Sequence, residues 1–140
     1  MYDAILLPTD GSPGAERARD HALELAADQD ATLHVFHVVA AFAPAASLHD
    51  LVAERMTEQG RELVETVARL GRDRGVEVVT AVREGDPAET IVEYASSERI
   101  DLVVMPTHGR SELARTIVGS VTDRVIRTGS VPVVVVRLDE

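Results

Sequence analysis

The chain of 140 residues contains no cysteine, lysine, asparagine or tryptophan. Without a thiol it can build no disulfide scaffold, thiolate zinc site, thiolate-held iron–sulfur cluster or cysteine nucleophile. Without lysine it cannot supply the phosphate-gripping lysine of a P-loop; neither G-x-x-x-x-G-K-[ST] nor G-x-G-x-x-G occurs, and a nucleophile elbow is missing as well. Aromatics are limited to Tyr2, Phe36, Phe42 and Tyr94, which leaves few platforms on which bases could stack. Positive charge is scarce: 14 arginines face 24 acids, for a net charge of −10. A field of that sign repels phosphate backbones and anionic headgroups, so no nucleic-acid or membrane partner is expected. Abundant acid without lysine or asparagine fits a halophile or a GC-rich genome, two origins that composition does not separate, and differs from the lysine-plus-glutamate signature of hyperthermophiles. The N-terminal stretch MYDAILLPTD has no basic segment leading into an apolar one, and no run of about 18 apolar residues follows, so the expected location is cytoplasmic.

Against these absences stands a 45% hydrophobic content gathered into five runs. They are Ala4–Leu7, Leu33–Val39, Val76–Val82, Leu102–Met105 and Val131–Val136, rich in branched residues and largely without strict alternation. Strands buried on both faces read this way, and longer periodic stretches between them give the βαβα rhythm of a parallel sheet covered by helices. With no linker, repeat or low-complexity tract, residues 1–140 read as one domain.

The intervening stretches carry helix signals. Ser12-Pro13 supplies a cap and a first-turn proline, followed by a small-residue face of Ala15, Ala18, Ala22 and Leu25. Residues Ser47–Arg74 form the longest candidate, with Leu51, Leu63, Val67 and Leu70 on one stripe, Gly75 as the stop and Gly60 as a potential bend or break. Asp86-Pro87 opens a third helix with Ile91, Val92 and Ala95 inward. A fourth runs from Ser120 to Arg127 with Val121, Val125 and Ile126 inward and ends at Gly129. Residues Phe42–Leu48 are the least patterned.

In such sheets ligands bind beyond the carboxyl ends of the strands, where the strand order reverses. After the first strand comes Pro8-Thr9-Asp10-Gly11-Ser12, where Asp10 either meets a ribose, adenine or metal or merely fixes the turn and caps the helix. After the fourth comes PTHGRSELARTIVGS, in which nine residues separate Gly109 from Gly119-Ser120 at the start of the last helix. Glycine allows close approach of backbone to phosphate, and a helix N-terminus favours an anion. Across 106–127, Arg110, Arg115, Arg124 and Arg127 outnumber Glu112 and Asp123 in an otherwise acidic chain. The plainer reading makes Arg124 and Arg127 solvated helix residues and Gly119 a tight turn.

The strand ending LLPTDGS, the second ending in His37-Val38, the loop THGRS, the helix GSVTDRVIR and the strand VPVVVV together resemble the universal stress protein family along the whole chain. The resemblance implies a flavodoxin-like α/β fold of the adenine-nucleotide alpha-hydrolase type, a doubly wound sandwich whose five parallel strands lie in the order 3-2-1-4-5. For the nucleotide-binding branch it implies ATP, with Mg or Mn carried through the phosphates rather than by a protein metal site. Gly109, Gly119 and Ser120 match the phosphate contacts, Asp10 the ribose and adenine aspartate, and Val38 the backbone that pairs with the adenine edge. Thr107, Arg110 and Val121, beside these positions, are expected to bind the cofactor with them. Pro106 departs from the pattern, standing where the family's first glycine belongs and donating no N–H. The implied function is a stress-response sensor or regulator acting as a homodimer through Val131–Val136, at most a slow ATPase. The alternative is a dimeric interaction module of the same family that Pro106 has cut off from nucleotide; a flavodoxin-type electron carrier is disfavoured by TDGSPG after the first strand.

The histidines are expected to be structural. His34 and His37 point to opposite faces of their strand and cannot share a metal. His108 reads as a loop hydrogen-bonding residue, and His21 and His49 as surface or helix-packing residues.

Overall fold

The computed structural model describes residues 1–40, 46–107 and 119–137. The elements in chain order are β1 (Ala4–Pro8), α1 (Pro13–Gln29), β2 (Thr32–Ala40), α2 (Ala46–Asp73), β3 (Val78–Gly85), α3 (Pro87–Ser97), β4 (Leu102–Pro106), α4 (Ser120–Thr128) and β5 (Val133–Val136). The strands form one parallel sheet in the order β3-β2-β1-β4-β5, the doubly wound arrangement expected from the sequence.

Successive side chains of a strand enter opposite faces, so each strand feeds two cores. Ile5, Leu7, Leu33, Val35, Leu102 and Val104 pack against α1 and α2. Leu6, Phe36, Val103 and Met105 pack against α3 and α4. This two-sided burial is why the strands read as apolar runs without alternation.

Ser12 caps α1, its Oγ accepting from the Ala15 N–H at 3.2 Å, with Pro13 in the first turn. Gly14, Ala15, Ala18, Ala22 and Ala26 are buried and let this helix lie close to the sheet; Leu23 is buried with them, whereas Leu25 is only half-buried. Asp86 caps α3 by accepting from the Glu89 N–H at 3.0 Å, and Ile91 and Ala95 face inward as expected.

Two helices pack differently from the expected pattern. Gly60 does not break α2, which runs through it unbroken. A Cβ at Gly60 would lie 2.6 Å from His37 Cδ2, and one at Gly71 2.7 Å from Val78 Cγ2, so both glycines mark close approach to the sheet. The inner face therefore runs Gly60, Val64, Val67, Ala68 and Gly71, while Leu51 and Leu70 of the expected stripe are 68% and 39% exposed. In α4, Val125 is buried but Ile126 is 46% exposed, and the second buried position is Thr122, whose hydroxyl bonds inward. Strand boundaries also shift: β3 starts two residues later than expected and runs on to Gly85, and β5 begins at Val133.

Candidate functional site

The strand order reverses between β1 and β4, and the ladder joining them is short. It pairs Ile5 with Leu102 and Leu6 with Val103, although the strands run on to Pro8 and Pro106. Neither proline carries an N–H, so neither can extend the ladder, and the two strand ends part at this switch point.

On the other side, β1 stays paired with β2 as far as Pro8 and Phe36, and the Thr9 N–H bonds to the Phe36 carbonyl at 2.8 Å. Alternate residues of a parallel strand turn their backbone groups to opposite neighbours. Thr32 and Phe36 face β1, so Val38 faces the same way, past the last β1 pair. There the chain has turned away through Gly11, at φ 78°. The backbone N–H and C=O of Val38 thus point to the carboxyl-end cleft.

The end of β1 is held firmly. His37 Nδ1 lies 2.8 Å from the Thr9 carbonyl, which can only accept, so the imidazole proton sits on Nδ1. Asp10 Oδ1 accepts from the Ser12 N–H at 2.9 Å, so the aspartate does fix the turn into α1 while standing half-buried at the rim.

Beyond β4, the Thr107 N–H bonds to the Val136 carbonyl at 3.0 Å, and the Gly119 N–H returns to the Thr107 carbonyl. Thr122 Oγ1 donates to the Pro106 carbonyl at 2.9 Å. These bonds seat the N-terminus of α4 at the carboxyl end of β4. Its N-cap is Gly119, which offers no side chain, whereas α1 and α3 are capped by Ser12 and Asp86. Ser120 is exposed and Val121 half-buried in that first turn.

Asp10, Val38, Thr107, Gly119, Ser120 and Val121 thus fall on the carboxyl ends of neighbouring strands and the start of α4. Gly109, Arg110 and His108 lie outside the described residues, as does Arg115. Two arginines of the basic stretch are committed to ion pairs: Arg124 lies 3.1 Å from the Asp86 carboxylate and Arg127 2.8 Å from Asp123. The Glu89 N–H and Arg124 hold the Asp86 carboxyl below its ordinary range. Pro106 fits as the buried last residue of β4, opposite Val136. Among the described residues no group of three or more histidine, aspartate or glutamate side chains is placed to hold a metal. His34 and His37 do point to opposite faces, one bonded to Tyr94 of α3 and the other lying against α2. Also among the described residues, no helix is long and apolar enough to cross a membrane.

Sequence reasoning missed the roles of Pro8, Thr122, His37 and Gly60. The prolines ending both central strands were a visible signal; a buried threonine hydroxyl gives none.

The model of the universal stress protein family matches residues 1–137. The chain belongs to that family. Universal stress protein MJ0531 of Methanocaldococcus jannaschii is 38% identical over 141 residues, spanning 98% of this chain and 83% of that protein. The solved structure of MJ0577, a universal stress protein of the same organism, superposes with a TM-score of 0.93 at 30% identity, covering 100% of this chain and 99% of its own. A universal stress protein solved in complex with cAMP superposes with a TM-score of 0.68 at 26% identity, over 99% of this chain and 98% of that one. In this universal stress protein the switch point is edged by two prolines, and the start of α4 is tied back to β4 through Thr107 and Pro106.

Proposed function

We propose that this universal stress protein binds ATP at the β1/β4 switch point and acts as a homodimeric stress-response regulator in the cytoplasm. The observation that carries the reading is the N-terminus of α4. Its N-cap residue, Gly119, brings no side chain of its own, and the helix is seated at the end of β4 by the Gly119 and Thr122 bonds. The first-turn N–H groups and positive dipole end of a helix suit a phosphate group.

In this reading Gly119, Ser120 and Val121 meet the phosphates, with Thr107, Gly109 and Arg110 assigned to the same group by the family motif. The Val38 N–H and C=O, aimed past the last β1 pair, suit the donor and acceptor on an adenine edge, and Asp10 stands beside the ribose. ATP brings a divalent cation, Mg or Mn, on its own phosphates. The relative solved with cAMP supports a nucleotide as the ligand class. The half-exposed valines of β5 at the sheet edge support pairing of two copies there.

Isothermal titration with ATP and magnesium, paired with thermal melting, tests this. Saturable heat and an upward shift in Tm are expected; neither appearing at millimolar ATP overturns the proposal. Pro106, which offers no N–H where the family pattern has glycine, favours a second reading: a dimeric interaction module that no longer takes nucleotide.

A further inference from the structure

The sheet has a second edge, β3, which among the described residues carries neither a proline nor a bulge and is blunted mainly by the charge of Arg83. It runs eight residues, Val78–Gly85, without proline and in unbroken register with β2. Long unprotected edges are templates for further pairing. The Leu33 N–H bonds to the Glu77 carbonyl, so Glu77, Val79, Ala81 and Arg83 turn their backbone groups to β2. Val78, Thr80 and Val82 turn theirs outward. The Val82 carbonyl is covered by Arg83 itself, whose Nη1 donates to it at 3.1 Å. Val79 is 41% exposed.

We propose that β3 pairs antiparallel with β3 of a second copy of this chain, about a two-fold axis through Thr80. Thr80 then faces Thr80, and Val78 of one copy faces Val82 of the other, as hydrogen-bonded pairs built from the outward backbone groups. Val79 faces Ala81 and Glu77 faces Arg83 in the closer pairs that exchange no ladder bonds. This register matches charge as well as backbone. Each Arg83 leaves its own Val82 carbonyl for the other copy's Glu77, and that carbonyl takes the N–H of Val78 in exchange. Slipping the pairing by two residues, the next register that keeps outward backbone groups opposite one another, sets Arg83 against Val79 and loses both ion pairs. Cross-strand pairs of opposite charge stabilise a ladder, and exposed Val79 becomes covered. The flank of α2 beside the edge carries mixed signs, with Glu58, Glu62 and Glu65 against Arg61 and Arg69, so it is only slightly acidic despite the net charge of −10. The contact is separate from β5, so β3 and β5 pairing stand or fall independently.

The absence of native cysteine makes a single introduced thiol a specific reporter. Hydrogen-bonded antiparallel neighbours lie about 5.5 Å apart at Cα, within disulfide reach. Thr80→Cys is expected to form a covalent dimer under mild oxidation at least tenfold faster than Asp28→Cys on the exposed face of α1. Adding Arg83→Glu should slow that cross-link by roughly tenfold, through two lost pairs and two new repulsions. Adding Glu77→Arg as well should restore it. In a second measurement, Thr80→Pro removes an outward N–H at an edge strand, a position that tolerates proline, so it should keep the fold by circular dichroism and abolish one association step in sedimentation. Cross-linking of Thr80→Cys no faster than Asp28→Cys, no rescue by the charge swap, or unchanged sedimentation of a folded Thr80→Pro variant would each overturn the proposal.

Discussion

Thr122 in α4 donates its hydroxyl to the carbonyl of Pro106, 2.9 Å away and sixteen residues earlier in the chain. Both residues are buried, so the bond decides which way α4 faces and where its first turn sits. Thr122→Val keeps the shape and removes the donor, leaving the Pro106 carbonyl with one partner fewer in a buried site. A loss of about 1–3 kcal/mol in stability is expected from the unsatisfied group. If the start of α4 holds phosphate, ATP affinity falls with it, because the N–H groups lose their fixed aim. Urea unfolding and titration calorimetry on the one variant check both parts.

Pro106→Gly separates the two functional readings. The ring already fits at the end of β4, opposite Val136, so the backbone there needs no conformation that proline forbids. The expected result is an ATP affinity within about threefold of the original. Stability should fall by about 0.4–1 kcal/mol, because glycine frees the unfolded chain. A gain in affinity of more than about tenfold would instead favour the module that proline has cut off from nucleotide.

Gly60→Ala tests whether α2 rests on the sheet as closely as the geometry requires. In an exposed helix the change would stabilise by about 1 kcal/mol. Here the new Cβ would lie 2.6 Å from the His37 ring, which is itself bound to the Thr9 carbonyl at the end of β1. Either the helix lifts or the imidazole gives up that bond. We expect net destabilisation of about 1–3 kcal/mol, seen in urea unfolding.

That glycine also illustrates what the sequence could and could not reveal. The strands were legible because burial on both faces leaves apolar runs that no other element in this chain imitates, whereas their order came from the resemblance to the universal stress protein family. The position of Asp10 and of Gly119-Ser120 followed, since strand ends and helix starts are marked by local residues. The stripe of α2 was misplaced because its closest contacts are made by Gly60 and Gly71, which carry no hydrophobic signal, while Leu51 and Leu70 do and are exposed. Likewise Ile126 looked like an inward residue, but the Thr122 hydroxyl turns the helix face toward Pro106. Long-range polar bonds of this kind leave no periodic trace.

The buried pair His34 and Tyr94 gives the protein a predictable pH response. His34 Nδ1 lies 2.8 Å from the Tyr94 hydroxyl, and the phenol ring stacks on Phe36 with centroids 4.3 Å apart. Burial pushes the His34 imidazole below its ordinary range, and the carboxylate of Glu98, at the end of α3, opposes this only in part. The folded state therefore prefers the neutral ring, whereas the unfolded chain takes up a proton near the usual value of about 6.5. As pH falls through that value the unfolded state binds more protons, so the contribution of His34 is fully present above it and is lost on acidification. The same burial raises the Tyr94 hydroxyl, which stays protonated throughout this window. Urea unfolding at pH 8 and pH 5.5 is expected to show weaker folding at the lower pH. His34→Gln retains a partner for Tyr94 but cannot titrate, so the difference between the two pH values should shrink in that variant. An equal pH dependence in the two proteins would show that the response arises elsewhere.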